Sequence, residues 1–302
     1  MNKPKILVTG GLGFIGSHLV AKLVDSNYQI IVIDNFSAVS GFKLPASVKL
    51  IRQNIDDPKI INLVSKIKPQ VIIHLAADNR VTAPSAEALK SNVIGTFNLL
   101  EAAKAAKVKQ FIFSSSAAVY GDPESLPIKE THPTKPLSAY GLSKLVDELY
   151  LHQYQKYFIT SIFRFANVYG PRQSSHSEGG VVAIFIDRLA KGIKPIIYGD
   201  GRQTRDFIYV GDIVNGILLA IKKPGNFTLN LGSNQPTTVN DLINKISQLM
   251  KIKPDFIKKT FRPMEIKDSL FDYSQAKKTL HWQPKTKLID GLYETINYFT
   301  GL

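Results

Sequence analysis

Lys5-Ile6-Leu7-Val8-Thr9-Gly10-Gly11-Leu12-Gly13-Phe14-Ile15-Gly16 decides the architecture. Its first five residues are a short apolar run closed by glycine, which reads as a buried strand. Ser17-His18-Leu19-Val20-Ala21-Lys22-Leu23-Val24 then continues with helical periodicity. The glycines therefore stand at a strand-to-helix turn, where a dinucleotide needs them. Gly10 permits the tight turn, Gly13 lets the backbone approach a pyrophosphate at the positive helix N-terminus, and Gly16 lets the helix pack on the strand. A second strand, Gln29-Ile30-Ile31-Val32-Ile33, ends at Asp34. An acid about 20 residues beyond such glycines can accept both ribose hydroxyls. Asp34 would repel a 2′-phosphate, and no Arg or Lys follows before Lys43, so NAD is expected rather than NADP.

Working outward, short β-branched runs alternate with helical segments. The pattern predicts strands at 5–9, 29–33, 48–51, 71–75, 110–115 and 159–164, and helices at 14–26, 58–67, 86–106 and 138–157. Such alternation means parallel strands joined by right-handed crossovers. The expected fold is α/β: a Rossmann-type doubly wound parallel sheet with a smaller, interleaved C-terminal substrate domain. After about residue 168 the glycines and prolines become irregular, with further helices near 180–191, 211–222 and 238–250. The expected division is an NAD-binding domain over 1–168 with a returning segment at about 206–230, and a substrate domain over 169–205 and 231–302.

Composition narrows the function. The chain of 302 residues has no cysteine, which excludes disulfides, thiolate metal sites and cysteine nucleophiles. No metal is expected. The net charge of +14 comes from scattered lysines without a basic tail or an aromatic-interleaved arginine surface, so nucleic-acid binding is not expected. The charge can still help attract an anionic substrate. The apolar run Ile6-Leu7-Val8 is too short for a signal-peptide core and no stretch approaches a membrane span. A cytoplasmic protein with no membrane partner is expected.

Tyr140-Gly141-Leu142-Ser143-Lys144, read with Ser114-Ser115-Ser116, supplies the chemistry. A phenol and an ammonium four residues apart share one helix face. Alone, that spacing also suits a solvated helix. A free phenol titrates near ~10, too high for a base at neutral pH, and a neighbouring lysine cation lowers that value. A serine hydroxyl beside the pair can hold a substrate hydroxyl within reach, so the set can remove a proton from an alcohol.

These segments resemble the extended short-chain dehydrogenase/reductase superfamily, in its nucleotide-sugar epimerase/dehydratase branch. The resemblance runs through Thr9 to Gly16, His74-Leu75-Ala76-Ala77, Asn92-Val93 with Gly95-Thr96, Ser114 to Gly121 and Tyr140 to Lys144. It continues through Arg164 with Asn167-Val168-Tyr169-Gly170-Pro171-Arg172, Gln203 to Val210, Arg262-Pro263 and Asp268-Ser269-Leu270. It implies Tyr140 as the general base, Lys144 as the group that lowers its pKa and holds the nicotinamide ribose, and Ser116 as the catalytic hydroxyl. The implied cofactor-binding set is Gly10, Gly13, Phe14, Ile15, Gly16, Asp34, Asn35, Asn54, Ile55, Leu75, Ala76, Ala77, Asn92, Ser114, Tyr140 and Lys144. For Ala76 and Ala77 plain packing explains the small residues equally, and Asn92 could simply cap a helix. The implied substrate set is Ser116, Tyr140, Asn167, Tyr198, Arg205, Arg262 and Ser269. The arginines suit pyrophosphate because their planar fork binds its oxygens bidentately, while Tyr198 could equally be a core residue. Asn54 departs from the family's adenine-contacting Asp, and Asp78 stands where Gln or Lys is common. The resemblance also implies a homodimer through helices near 90–106 and 140–157, where Leu99, Leu100, Ala103, Leu145 and Leu149 make more than one face apolar.

Within the branch, Ser116-Ala117-Ala118 discriminates. Dehydratases resemble Ser/Thr-Asp-Glu there, and decarboxylases Ser-Glu. Neither alanine exchanges protons, so a pure oxidation–reduction cycle fits better than elimination. The expected reaction is a UDP-sugar 4-epimerase, acting on UDP-glucose and UDP-galactose. The small Ser269 beside the sugar's 2-substituent implies that UDP-GlcNAc and UDP-GalNAc are also accepted. UDP-glucuronate 4-epimerase, or another nucleotide-sugar epimerase/dehydratase, is the alternative within the branch. A silent NAD-binding regulator is the alternative outside it, and would need none of Tyr140, Lys144 and Ser116.

Overall fold

The computed structural model describes residues 3–38, 40–79, 86–176, 180–261 and 266–301. In chain order its strands are β1 (Lys5–Thr9), β2 (Gln29–Asp34), β3 (Lys49–Arg52), β4 (Val71–His74), β5 (Gln110–Ser116), β6 (Ile159–Phe165), β7 (Asn167–Tyr169), β8 (Ile196–Tyr198), β9 (Thr204–Tyr209), β10 (Phe227–Leu231), β11 (Pro236–Thr238) and β12 (Ile257–Lys259). The helices are α1 (Phe14–Leu23), α2 (Lys59–Ile67), α3 (Ala86–Leu89), α4 (Gly95–Ala105), α5 (Ala139–Tyr154), α6 (Val181–Ala190), α7 (Val210–Lys222), α8 (Val239–Leu249), α9 (Ser274–Leu280) and α10 (Leu288–Thr300).

The large sheet runs β10-β6-β5-β4-β1-β2-β3, every pair parallel. The doubly wound α/β fold expected from the alternation is present. Side chains of a strand alternate between faces, and both faces here are apolar. Ile6, Val8, Ile30, Val32, Ile73 and Ile112 pack with Leu19 and Val20 of α1 and with Ile213 and Ile217 of α7. Leu7, Ile31, Ile33, Ile72, Phe111 and Phe113 pack with Ile60 and Val64 of α2, Leu99 and Leu100 of α4 and Leu151 of α5. This double coverage is why the strands read as unbroken apolar runs.

Beyond β6 the chain builds a smaller layer. β7, β9 and β11 form one sheet and β8 pairs with β12. Their core joins Val182, Phe185 and Ile186 of α6 to Leu242, Ile243 and Ile246 of α8 and to Leu292 and Ile296 of α10. The chain then returns to the large sheet through α7 and β10, while β9 stays in the small sheet. Two buried aspartates staple the layers. Asp206 accepts from Ser233 N (2.7 Å), Ser233 Oγ (2.6 Å), Asn234 N (3.1 Å) and Phe271 N (3.0 Å). Asp212 accepts from Lys285 N and Thr286 N, both at 3.0 Å.

One expected element is not continuous. The helix predicted over 86–106 is α3, a π-helical turn over Lys90–Ile94, and then α4. The wider turn carries Asn92, whose side chain accepts from Asp78 N (2.8 Å) and donates to Asp78 O (2.9 Å) and Ser143 Oγ (2.9 Å). These three bonds to other segments anchor the turn, and a pattern of local propensity does not contain them. Asn92 is therefore not a helix cap.

Candidate active site

β1, β4 and β5 end side by side, presenting Thr9-Gly10, His74-Leu75 and Ser114-Ser116. Strand order reverses between β1 and β4, and in open α/β sheets ligands bind at that crevice. Gly10 turns the chain at φ 70°, where a Cβ would lie 2.7 Å from Ala76 N. At Gly16 a Cβ would stand 2.1 Å from Gly10 O, so helix and strand touch as the glycine spacing implied. Gly13 differs: a Cβ there would meet only Gly10 O at 3.3 Å and Ala38 O at 3.8 Å. It opens α1 in an extended conformation, and no side chain caps the helix. The first-turn N–H groups at Phe14 and Ile15 are thus without a side-chain acceptor, which is how a helix N-terminus receives an anion. Asp34 is held at the end of β2 by Leu12 N on Oδ2 (3.0 Å) and Phe36 N on Oδ1 (2.8 Å). Each oxygen keeps a lone pair for a further donor. Asn35 is exposed and its Oδ1 accepts from Ser37, while Asn54 is exposed at the end of β3. Ile55 is buried against Gly95. Leu75, Ala76 and Ala77 lie half-buried after β4.

Ser116 and Tyr140 come from distant segments that one close contact brings together. Ser116 ends β5 and its Oγ accepts from Ala118 N (3.2 Å), starting a 3-10 turn over Ala117–Val119. Ser138 caps α5 by accepting from Gly141 N (3.0 Å). A Cβ on Gly141 would lie 2.4 Å from Ala118 O, so α5 begins in contact with that turn. The Ser116 hydroxyl comes near enough to the Tyr140 phenol to draw its pKa down. Lys144, one turn on, is 2 % exposed, with Nζ 4.5 Å from the Phe113 ring centroid and 5.9 Å from that of Tyr140.

The electrostatics correct one expectation. Lys144 was expected to lower the Tyr140 pKa, but in this structure the phenol is pushed up to about 12. Burial of its hydroxyl is the main cause and the Asp147 charge adds to it, while the nearby Ser116 hydroxyl pulls the other way. Tyr140 is half-exposed over its whole surface, but the hydroxyl end is the desolvated part. Burial also lowers Lys144, opposed by Asp147 and Glu148.

Behind this pair lies a polar network that sequence reasoning did not single out for chemistry. His74 sits between Thr9 Oγ1 (2.7 Å on Nδ1) and Thr96 Oγ1 (3.0 Å on Nε2). Burial first, and then the Lys144 charge, hold its pKa well below the usual histidine range, so it is neutral. Glu148 takes a two-pronged bond from Arg164, with Nε at 2.9 Å and Nη2 at 2.6 Å, and also accepts from Ser115 Oγ. Ser114 Oγ donates to His74 O at 3.0 Å. Of the three serines, Ser116 is the one that bears on the Tyr140 phenol. The readable signal was Lys144, Asp147 and Glu148 at helical spacings of three and four.

The expected substrate residues line the small layer. Asn167 is exposed at the start of β7, and Tyr198 ends β8, its carbonyl accepting from Gln203 Nε2 (2.8 Å). Arg205 of β9 donates from Nη1 to Thr204 O (2.8 Å) and Lys267 O (3.2 Å). Ser269 is buried and its N donates to Thr204 O (3.2 Å). Arg262 lies outside the described residues. Among the described residues no cluster suits a metal ion, and no helix is long and apolar enough to cross a membrane.

Residues 6–232 match the NAD dependent epimerase/dehydratase family. The chain belongs to this family. The epimerase/dehydratase chain is 34 % identical over 311 residues to a UDP-glucose 4-epimerase of Mycolicibacterium smegmatis, covering 98 % of both. It superposes with a TM-score of 0.94 on the UDP-glucose 4-epimerase of Thermotoga maritima solved with UDP-glucose, at 39 % identity and 98 % coverage of each chain. The UDP-N-acetylglucosamine 4-epimerase of Methanobrevibacter ruminantium, solved with UDP-N-acetylmuramic acid, gives 0.93 at 33 % identity, covering 100 % of this chain and 99 % of that one. The uncapped α1 N-terminus and the anchored Asp34 fit NAD, the family's cofactor.

Proposed function

We propose that the protein is a UDP-sugar 4-epimerase interconverting UDP-glucose with UDP-galactose, and UDP-GlcNAc with UDP-GalNAc, through a transient 4-keto sugar. The observation that carries this reading is Ser116 brought beside Tyr140 where Gly141 closes on Ala118, in a turn, Ala117-Ala118, that offers no acid for elimination. In this reading the sugar C4 hydroxyl binds against both oxygens. Tyr140 takes its proton while Ser116 holds the oxygen in line. NAD, held by Gly10, Gly13, Phe14, Ile15, Gly16, Asp34 and the groups around them, supplies a hydride acceptor and, in its oxidised form, a positive ring. A phenol at about 12 would need such cationic help, and Lys144 Nζ lies 5.9 Å from its ring centroid. The keto sugar then turns about its pyrophosphate link, and Tyr140 returns the proton to the oxygen of the inverted carbon. Arg205 supports the pyrophosphate in this reading, and Asn167 and Tyr198 the rest of the nucleotide. Ser269 leaves room for a 2-acetamido group.

The same reading includes a homodimer in the cytoplasm. Of the apolar residues named for the interface, Leu99, Leu100 and Ala103 are fully buried in the core, and only Leu149 is exposed. Leu89, Ile94, Phe97, Leu142 and Tyr150 are exposed around it, and Phe97 meets Tyr150 edge-on at 5.6 Å.

The test is to incubate purified protein with UDP-galactose and no added NAD, since a cofactor regenerated each cycle stays bound. UDP-glucose is the expected product. No conversion of UDP-galactose, UDP-glucose or their N-acetylated counterparts would sink the proposal, and turnover of UDP-glucuronate alone would move it to the alternative.

A further inference from the structure

Lys144 is a cation in surroundings that disfavour charge. It is 2 % exposed and its Nζ lies over the Phe113 ring, 4.5 Å from the centroid. Desolvation of that kind drives a lysine towards its neutral form. Only anions nearby can oppose it, and two carboxylates do so, Asp147 before Glu148. Glu148 is committed elsewhere, to both prongs of Arg164 and to Ser115. Asp147 is not. It is 0 % exposed, and neither carboxylate oxygen has a hydrogen-bond partner among the described residues.

Among the described residues, the other groups around Asp147 bring no compensating charge. His74, on β4, is neutral and has both nitrogens occupied by Thr9 and Thr96. Thr96, on α4, is near enough to draw the Asp147 pKa down somewhat, but its bond goes to His74 at 3.0 Å. Arg164, on β6, is occupied by Glu148, Tyr120 Oη (2.9 Å) and Glu130 O (3.3 Å). Tyr140 carries only a phenol that Asp147 pushes upward. An unbonded buried carboxylate is among the costliest arrangements a core can hold. Here its uncommitted counter-charge is Lys144, three residues earlier on the same face of α5.

We propose that Asp147 is a positioning residue for the reaction: its buried, unbonded carboxylate keeps the proton on Lys144 and so sets the field in which Tyr140 exchanges its own. This rests on the reading of Tyr140 as the proton-transfer group. Burial raises Asp147 and lowers Lys144, and each restrains the other. Losing Asp147 removes the anion that holds the Lys144 proton, so Lys144 turns neutral at lower pH. It also removes a charge that disfavours the Tyr140 phenolate. Both effects move the active window down the pH scale.

The experiment is a pH titration of holoenzyme labelled in its lysine side chains, read by NMR at Cε and Nζ. The Lys144 signal is assigned by its loss in Lys144→Met. In Asp147→Asn the Lys144 midpoint should fall by at least about one pH unit, and Asp147→Glu should recover part of the shift. The alkaline fall of kcat on UDP-galactose should move down by the same amount. A Lys144 midpoint unchanged or raised in Asp147→Asn overturns the proposal, because a residue serving packing alone would not move it. Should Asp147→Asn fail to fold, Lys144→Met must raise the Asp147 carboxyl midpoint, and an unmoved midpoint overturns the proposal equally. Wild-type protein inert on every UDP-sugar sinks the epimerase reading instead, whatever Lys144 does.

Discussion

Tyr140→Phe removes one oxygen and leaves the ring that Lys144 packs near. We expect turnover to fall below about one-thousandth of wild type, the upper part of what a positioned acid–base group contributes, with the circular dichroism spectrum and bound NAD retained. Ser269→Tyr tests substrate breadth, because the serine is buried beside Thr204 and a phenol there intrudes on any adjoining pocket. Activity on UDP-GlcNAc should fall at least about tenfold more than on UDP-glucose, the order of discrimination one steric clash provides. Equal losses would refute the steric account. Gly16→Ala places a Cβ 2.1 Å from Gly10 O. Overpacking of that kind costs about 1–3 kcal/mol, measurable by urea unfolding. At this scale the glycines were legible because each backbone demand is local. The raised pKa of Tyr140 was not, because desolvation depends on the whole shell around one oxygen.

At the scale of elements, α5 carries Tyr140 and Lys144 at its start and is tied to the sheet by the Glu148–Arg164 pair. Arg164 comes from the C-terminal end of β6, and both side chains are nearly inaccessible, at 8 % and 2 %. Removing one partner strands the other. Arg164→Met should therefore destabilise by about 3–5 kcal/mol. Adding Glu148→Gln to Arg164→Met should restore part of this loss in the same urea titration. A double variant no better than the single would mean that the pair is not stranded as argued. The alternating strands and helices were legible from periodicity, since both faces of the sheet are covered. The π-helical turn at Lys90–Ile94 was not, because its Asn92 bonds to Asp78 and Ser143, 14 and 51 residues away in sequence. β7, β8, β9, β11 and β12 were likewise missed, most being only three residues long.

For the whole molecule, Leu89, Ile94, Phe97, Leu142, Leu149 and Tyr150 are exposed on α3, the π-helical turn, α4 and α5, with Phe97 of α4 against Tyr150 of α5. Exposed apolar side chains on these elements are what the proposed homodimer would cover. Leu149→Glu should halve the mass seen by light scattering, and an unchanged mass would place the contact elsewhere or show a monomer. The sequence by itself determined the parallel sheet, the dinucleotide turn and the Tyr140–Lys144 spacing, because strand alternation, glycine geometry and helical period act over a few residues. Only the tertiary structure decided that the turn after Ser116 closes on the start of α5, through Gly141 against Ala118. It alone showed Asp147 buried without a bonded partner beside Lys144. Burial and solvation belong to the packed whole, where segments distant in sequence exclude water together, and no short pattern encodes that.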